Sequence, residues 1–166
     1  GSVLPVITSL DAAHNCALPE VCLTAYQMMA FVAKVRPNSS VLVHAAASSV
    51  SQVLIQMLVR RNVRVIGTTR TQSKVPTIMT ACAHAVVIPD VGENNSTIFA
   101  QKCIQANNND LFDVVFDPIG AHYLNENLDC LNTDGKLVLY ALLNNDYPID
   151  STILSKMLWK RVSVIP

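Results

Sequence analysis

Three small residues stand at regular spacing in the segment that runs from His44 to Gln52. Ala46, Ser48 and Ser51 occupy positions i, i+2 and i+5, which is the spacing of the three glycines in a dinucleotide-binding turn. Glycines at such positions let a diphosphate approach the backbone amides at the start of a helix. The segment contains no glycine, so any of the three positions that needs a positive φ would carry strain of about 1 to 3 kcal/mol. The spacing therefore predicts a weakened diphosphate site.

The serines of this segment have a second interpretation, which is structural. Ser49 is followed three residues later by Gln52, and an apolar stripe with helical spacing is formed by residues 50, 53, 54, 57 and 58. That pattern is typical of a capping box, in which the two side chains satisfy backbone amides at the start of a helix. The residues alone leave both interpretations open, a phosphate turn and a helix cap.

Hydroxyl and cationic side chains follow about 20 residues after this turn, at the end of the next expected strand. Residues 68–74 read Thr-Thr-Arg-Thr-Gln-Ser-Lys, where a NAD-binding domain would carry an acidic residue for the ribose hydroxyls. Arg70 would form charge-assisted hydrogen bonds to a 2′-phosphate, and Lys74 would add a point charge. If a dinucleotide binds, the sequence therefore favours NADP. The alternative, that both cations are ordinary solvated surface charges, stays open.

The histidines and cysteines form no metal-ligand pattern. The five cysteines include no C-x-x-C pair, and no histidine stands near them at zinc-ligand spacing. Free cysteine is commonly a small buried hydrophobe in a reducing compartment, which predicts a cytoplasmic protein. We expect no metal site, and we expect each of the four histidines to be a surface residue or a hydrogen-bonded core residue.

The composition excludes several classes of function. The chain has 166 residues, of which 51% are apolar and 14% are charged, with 12 basic and 12 acidic residues. The apolar content excludes a disordered chain, and zero net charge gives the whole molecule no electrostatic reason to bind nucleic acid or anionic lipid. Polar residues interrupt every apolar run before the roughly 18 residues that a membrane helix needs. We expect one soluble domain with no membrane span.

Apolar segments rich in Val and Ile alternate with helical patterns, as in parallel strands joined by crossover helices. The expected strands cover residues 41–46, 63–68, 85–88, 112–117, 136–142 and 162–165, and the expected helices cover residues 50–58, 76–83, 97–106, 123–131 and 153–159, with a turn at 144–146 among others. Strands that are apolar throughout indicate a sheet covered on both faces. The predicted fold class is α/β, a doubly wound parallel sheet of about six strands, in which ligands bind beyond the carboxyl ends of the strands.

Five segments, in order along the chain, resemble one known family. They read Leu-Pro at 18–19, Leu-Thr-Ala-Tyr at 23–26, Val-Leu-Val-His-Ala-Ala-Ala at 41–47, Asp-Val-Val-Phe-Asp-Pro-Ile-Gly at 113–120 and Asp-Gly-Lys-Leu-Val-Leu-Tyr at 134–140. Together they resemble the quinone oxidoreductase branch of the medium-chain dehydrogenase/reductase superfamily, and within it the zinc-independent, zeta-crystallin-like members.

The resemblance implies a Rossmann nucleotide-binding domain over residues 37–166, preceded by a lead-in segment and helix over residues 3–36. In the family a GroES-like catalytic domain accompanies this unit, and the chain contains no counterpart of it. We therefore expect a fragment that is inactive alone, with its catalytic residues elsewhere. Gly1 and Ser2 are interpreted as the remnant of a removed tag.

The resemblance also implies where NADPH would bind. The diphosphate would lie on a turn of small residues, the 2′-phosphate on three polar residues after the second strand, and the nicotinamide near residues 119–120 and 140–143, with Thr24 nearby. The diphosphate positions are Ala46, Ser48, Ser49, Val50 and Ser51. The 2′-phosphate positions are Arg70, Thr71 and Lys74, and the nicotinamide positions are Ile119 and Leu142. Family members usually have glycine at positions 48, 49, 51 and 141, and a tyrosine against the adenine at position 89, where this chain has Ser48, Ser49, Ser51, Ala141 and Pro89.

The function implied is that of an NADPH-dependent oxidoreductase, which transfers hydride to a quinone or an α,β-unsaturated carbonyl. Two alternatives remain open. The missing glycines suit a degenerate, non-catalytic member that serves as a dimerisation or interaction module, and the same branch includes enoyl and alkenal reductases. The family also joins the final strands of two copies, which predicts a homodimer through the edge near residues 162–165, because an apolar edge strand seldom stays unpaired.

Overall fold

A computed structural model describes residues 5–81, 83–89, 96–143 and 151–166, and for residues 96–98 it describes the backbone only. Cys82, the expected turn at 144–146 and the Gly1-Ser2 remnant lie outside the described residues. Within these ranges, no helix is both long enough and apolar enough to cross a membrane.

Among the described residues, six parallel strands form one sheet in the order β3-β2-β1-β4-β5-β6. The strands are β1 (Ser40–Val43), β2 (Arg64–Thr68), β3 (Ala85–Val87), β4 (Phe112–Asp117), β5 (Leu131–Leu139) and β6 (Ser163–Ile165). The order reverses between β1 and β4, so the crossovers leave the sheet toward opposite faces at that point. The predicted doubly wound α/β fold is confirmed.

In the part of the chain that the structure describes, six α-helices cover the sheet. They are α1 (Ala12–Tyr26), α2 (Ser49–Val59), α3 (Val75–Thr80), α4 (Ser96–Ala106), α5 (Leu124–Cys130) and α6 (Ser151–Lys160). A π-helical segment, Gln27–Val32, continues α1, and short 3-10 turns precede α3 and α5 at Gln72–Lys74 and Ala121–Tyr123.

The two faces of the sheet carry separate apolar cores. On one face α1, α2 and α3 pack against alternate strand residues such as Val41 and Val43. On the other face α4, α5 and α6 pack against the intervening residues, among them Leu42 and Ile66. Because successive strand residues point to opposite faces, strands that are apolar throughout fill both cores at once.

Two predicted strands have the wrong boundaries. β1 ends at Val43 rather than at residue 46, because Ala45 adopts a left-handed φ of 46° that turns the chain out of the sheet. β5 covers residues 131–139 rather than 136–142, and a register shift against β4 falls where Asp134 has a φ of 62°. Apolar periodicity reveals neither the positive φ that ends β1 nor the irregular pairing within β5.

Candidate functional site

The predicted binding residues gather at the carboxyl ends of the strands, on both sides of the point where the strand order reverses. The turn after β1 leads into α2, and the backbone N–H of Ala46 donates to the carbonyl of Thr68 at the end of β2, at 2.9 Å. On the other side, the N–H of His44 donates to the carbonyl of Phe116 in β4, at 3.0 Å. The turn is therefore held between two neighbouring strand ends.

The strain expected in this turn falls on a residue that sequence analysis did not single out. None of Ala46, Ser48 and Ser51 has a positive φ, whereas Ala45 does, at 46°. A left-handed conformation at a residue with a Cβ costs on the order of 1 to 2 kcal/mol. The three small residues are thus compatible with the turn, and the one unfavourable backbone conformation lies directly before them.

The helix cap is formed by Ser48, not by Ser49 as the capping-box interpretation predicts. Ser48 has an extended backbone, and its hydroxyl accepts the N–H of Ser51 at 3.3 Å. Gln52 does not complete a box, because its side-chain amide donates to the carbonyl of Ala46 at 3.1 Å. The cap lies one residue earlier because α2 already begins at Ser49.

The start of α2 leaves backbone donors for an anion. Ser49 and Val50 are the first two residues of the helix, so their N–H groups precede the first acceptor inside it. The side chains of Ser48 and Ser49 are exposed, and Val50 is half-buried. Two free amides, a hydroxyl and the positive end of an 11-residue helix match the chemistry of a phosphate group.

Ser51 faces the interior and does not cover these amides. It is fully buried, and its hydroxyl lies 3.4 Å from the carbonyl of His44, 2.9 Å from the Ser48 hydroxyl and 3.0 Å from the hydroxyl of Tyr140. Burial raises the pKa of the Tyr140 phenol, and its hydrogen bond with Ser51 opposes that rise. The hydroxyl that stands in a glycine position is therefore accommodated inside the fold.

The polar cluster after β2 lies beside this turn. Thr68 and Thr69 are buried, whereas Arg70, Thr71 and Lys74 are exposed. The N–H of Thr71 donates to the hydroxyl of Thr69 at 3.3 Å, and the following residues form a 3-10 turn that ends at Lys74. The two cations are thus presented to solvent at the strand end next to the start of α2.

A buried polar network ties the strand ends together, and sequence analysis did not identify it. His44 is fully buried, with Nδ1 2.9 Å from the Thr68 hydroxyl and Nε2 2.6 Å from Oδ1 of Asn127. Asn127 in turn donates from Nδ2 to Asp117 at 2.8 Å. Asp117 accepts the backbone N–H of Ile119 at 2.6 Å through its other oxygen. The network joins the ends of β1, β2 and β4 to α5.

The hydrogen bonds assign the state of the His44 ring. Asn127 donates to Asp117 through its amide nitrogen, so its oxygen must accept from Nε2–H of His44. Burial lowers the pKa of His44, while the Asp117 charge and the Asn127 hydrogen bond oppose that shift. The ring is therefore neutral, and Nδ1 accepts the hydroxyl proton of Thr68. His44 is a hydrogen-bonded core histidine, one of the two outcomes expected from sequence.

The residues predicted for the nicotinamide side lie after β4 and β5. Ile119 is half-buried in the turn that Asp117 holds, and Leu142 is 63% exposed. The N–H of Leu143 donates to the carbonyl of Pro118 at 3.0 Å, which joins the two segments. Thr24, half-buried, lies near the carboxyl end of α1. Ile119 and Leu142 thus lie on the second half of the same sheet edge, whereas Thr24 is placed only by its position in α1.

Within the part of the chain that the structure describes, no group of three or more His, Cys, Asp or Glu side chains is arranged to hold a metal ion. The edge described above offers hydroxyls, amides and cations instead of a metal-ligand set.

Comparison with known proteins assigns the chain to a family. The zinc-binding dehydrogenase domain model matches residues 49–165, which is most of the chain. The chain belongs to this family. Proteins with a similar sequence include a 2-haloacrylate reductase from a Burkholderia species, 30% identical over 139 residues, and a probable quinone oxidoreductase from Schizosaccharomyces pombe, 32% identical over 119 residues. The predicted resemblance to the quinone oxidoreductase branch is confirmed.

The chain spans only part of these relatives. The two alignments cover 83% and 72% of this chain, but 40% and 34% of the respective relatives. A solved 2-haloacrylate reductase is 26% identical with a TM-score of 0.82 and is matched over 98% of this chain and 49% of that one. Escherichia coli quinone oxidoreductase complexed with NADPH is 22% identical, with a TM-score of 0.82 and coverage of 98% and 48%. At that lower identity the likeness concerns the fold.

Proposed function

We propose that this zinc-binding dehydrogenase domain binds NADPH at the carboxyl edge of its sheet, as part of a reductase. One observation carries the proposal. The amides of Ser49 and Val50 lie at the end of β1, and the cations Arg70 and Lys74 lie at the end of the neighbouring strand β2. A nucleotide with both a diphosphate and a 2′-phosphate has the anionic groups that these two clusters suit.

Each cluster has a distinct part in this proposal. The amides of Ser49 and Val50, with the hydroxyl of Ser48, would bind the diphosphate. Arg70 would bind the 2′-phosphate in a planar fork, with Thr71 and Lys74 beside it. Ile119 and Leu142 would line the nicotinamide end, where Asp117 fixes the turn through the N–H of Ile119.

The activity proposed is the transfer of hydride from NADPH to a quinone or to an α,β-unsaturated carbonyl. NADPH would supply the hydride, while the domain binds and orients it and excludes water. The names of the relatives support an activated acceptor, since one is a 2-haloacrylate reductase and another a probable quinone oxidoreductase. The residues that contact the acceptor are proposed to belong to a GroES-like domain outside residues 3–166, with residues 37–166 as the nucleotide-binding unit.

The test is a calorimetric titration of the chain with NADPH and with NADH. We expect a dissociation constant for NADPH below about 100 μM, or about 5.5 kcal/mol of binding free energy, and weaker binding of NADH. Arg70→Ala should remove most of the difference between the two nucleotides. Arg60→Ala is the matched control, because Arg60 is an exposed arginine at the other end of α2.

Two results would contradict the proposal. One is the absence of binding up to millimolar NADPH, which would favour the non-catalytic alternative, an interaction module. The other is an equal loss of NADPH affinity in Arg70→Ala and Arg60→Ala, because that would indicate a general effect of positive charge rather than recognition at the end of β2.

We also propose that two copies associate through β6. This strand ends the described sheet and pairs only with β5 among the described strands. The preceding helix α6 exposes three large apolar side chains, Leu154, Leu158 and Trp159, the last of them 81% exposed. Joining two sheets at β6 would pair the open edge and bring these side chains of the two copies toward each other.

We also propose that the protein resides in a reducing compartment such as the cytoplasm. Its support is that the described cysteines are free thiols, and that two of them, Cys103 and Cys130, are buried in the apolar core.

A further inference from the structure

The hydroxyl of Tyr140 reaches from the end of β5 to the start of α2, two strands away. The Tyr140 backbone N–H is anchored on the carbonyl of Asp117 at 3.2 Å, and its phenol oxygen lies 3.0 Å from Oγ of Ser51. Ser51 is in turn 2.9 Å from Oγ of Ser48. Three hydroxyls thus form a chain from a half-buried tyrosine to an exposed serine beside the amides of the proposed diphosphate site.

The acceptors around Ser51 fix the direction of this chain. The Ser51 hydroxyl donates to the carbonyl of His44, which can only accept, so both Tyr140 and Ser48 donate to the Ser51 oxygen. The Ser48 oxygen accepts the backbone N–H of Ser51 at the same time. With no phosphate bound, the proton of Ser48 therefore points into the protein.

We propose that Tyr140 is a positioning residue that frees the Ser48 hydroxyl to donate to a phosphate oxygen. If Ser48 rotates its proton outward, the Ser51 oxygen keeps a donor, the Tyr140 hydroxyl, and the Ser48 oxygen still caps α2. No buried polar group is then left without a partner, so the rotation is inexpensive. Without the tyrosine hydroxyl, the same rotation would leave buried Ser51 with no donor from a side chain.

This inference rests on the proposed function, because it needs a diphosphate at the start of α2. It also accounts for a serine in a position where the family usually has glycine. The Ser51 hydroxyl does not block the site; it connects the capping residue Ser48 to Tyr140 through two hydrogen bonds. Ser51 and Tyr140 act on the bound group only through Ser48.

The experiment is a double-mutant cycle on binding, with NADPH as one probe and 2′-AMP, which lacks a diphosphate, as the other. Tyr140→Phe should weaken NADPH binding about threefold to tenfold, the range that one hydrogen bond contributes net. It should leave 2′-AMP binding unchanged within about twofold. Ser48→Ala should weaken NADPH binding, and adding Tyr140→Phe to it should cause no further loss.

Tyr26→Phe is the matched control, because Tyr26 is partly exposed on α1. Ser51→Ala removes the same link from the other side, so it replaces Tyr140→Phe if that variant does not fold. Thermal unfolding of each variant identifies a purely structural role, which would lower Tm and weaken both probes alike.

Three outcomes would overturn the inference. The first is that Tyr140→Phe binds NADPH as tightly as the unchanged chain. The second is that the losses of NADPH affinity in Ser48→Ala and Tyr140→Phe add up in the double variant. The third is that Tyr140→Phe weakens the binding of NADPH and of 2′-AMP equally. These outcomes leave the proposed function intact as long as the unchanged chain binds NADPH. If the unchanged chain does not bind NADPH, both proposals fail together.

Discussion

At the scale of single residues, the surroundings of His44 restrict the protonation state of its ring. Its ring is fully buried, makes hydrogen bonds through both nitrogens, and packs against Tyr123 with ring centroids 5.0 Å apart. A proton added at Nδ1 would require the Thr68 hydroxyl to change from donor to acceptor, and it would place a positive charge at a fully buried position. The fold therefore depends on a neutral ring.

This dependence predicts how stability varies with pH. The pKa of His44 is lowered in the folded chain from its ordinary value of 6.5, so the unfolded chain binds more protons in the interval between the two values. The His44 contribution to stability is complete above pH 6.5 and is lost as the pH falls toward the folded pKa. The free energy of unfolding from urea titrations should decrease between about pH 7.5 and pH 5.

His44→Gln is the variant that isolates this contribution. It should be less stable at neutral pH, because glutamine cannot reproduce both hydrogen bonds and the ring packing, and it should lose less stability on acidification. His14→Gln is the control, since His14 is exposed on α1. An acid sensitivity that is the same in the unchanged chain and in His44→Gln would show that other groups cause it.

At the scale of elements, the turn after β1 must pack closely against β2. A Cβ added to Gly67 would lie 2.9 Å from Cβ of Ala46 and 3.0 Å from Cγ2 of Ile78. Gly67→Ala should therefore destabilise the chain by about 1 to 3 kcal/mol, the usual cost of overpacking. The loss should be visible as a lower urea midpoint at unchanged slope.

The double variant Ala46→Gly/Gly67→Ala tests whether the close contact with Ala46 causes the loss of stability in Gly67→Ala. Removing the Cβ of Ala46 relieves the closest contact, so the double variant should recover part of the stability lost in Gly67→Ala. Ala47→Gly is the matched control for the added flexibility, since it changes the next residue of the same turn. Equal losses in Gly67→Ala with and without Ala46→Gly would mean that the close approach of turn and strand is not the cause.

Much of the element arrangement could be predicted from sequence, because apolar strands and a helical stripe are local patterns. The end of β1 depends on the positive φ of Ala45, a conformation that alanine seldom adopts and that its residue type does not predict. The helix cap was placed one residue late, since Ser48 and Ser49 are chemically equivalent in the sequence. Only the fold distinguishes them.

The parts of the site that sequence analysis missed depend on distant pairs. Tyr140 lies 89 residues from Ser51, and Asn127 lies 83 residues from His44. Residues so far apart in the sequence do not belong to one local sequence motif, so neither pair could be recognised by spacing. The gathering of the candidate residues at one edge could be predicted, because a parallel sheet brings the residues that follow its strands together there. Their role in binding stays a prediction.

At the scale of the whole molecule, the proposed dimer makes a prediction about mass in solution. The unchanged chain should sediment as a dimer at micromolar concentration. The double substitution Leu158→Lys/Trp159→Lys should shift it toward the monomer, because it places charges where apolar side chains of two copies approach. The measurement is sedimentation equilibrium over a range of concentrations.

Phe31→Lys is the control for this experiment. Phe31 is 65% exposed on the π-helical segment, which packs on the opposite face of the sheet from α6. It should leave the mass unchanged. A chain that is monomeric throughout, or a Phe31→Lys variant that dissociates as readily as the α6 variant, would contradict association through β6.

The central claim is that a dinucleotide binds at the carboxyl edge of the sheet, between the start of α2 and the end of β2. The most direct test is an NMR titration of the ¹⁵N-labelled chain with NADPH, which reports every backbone amide at once. NADPH should cause the largest shifts at the amides of Ser49, Val50, Arg70 and Ile119. It should cause none at the opposite edge, where a polar cavity of about 320 Å³ is lined by residues such as Arg64 and Asp113. Shifts confined to that cavity, or no shifts at millimolar NADPH, would contradict the central claim.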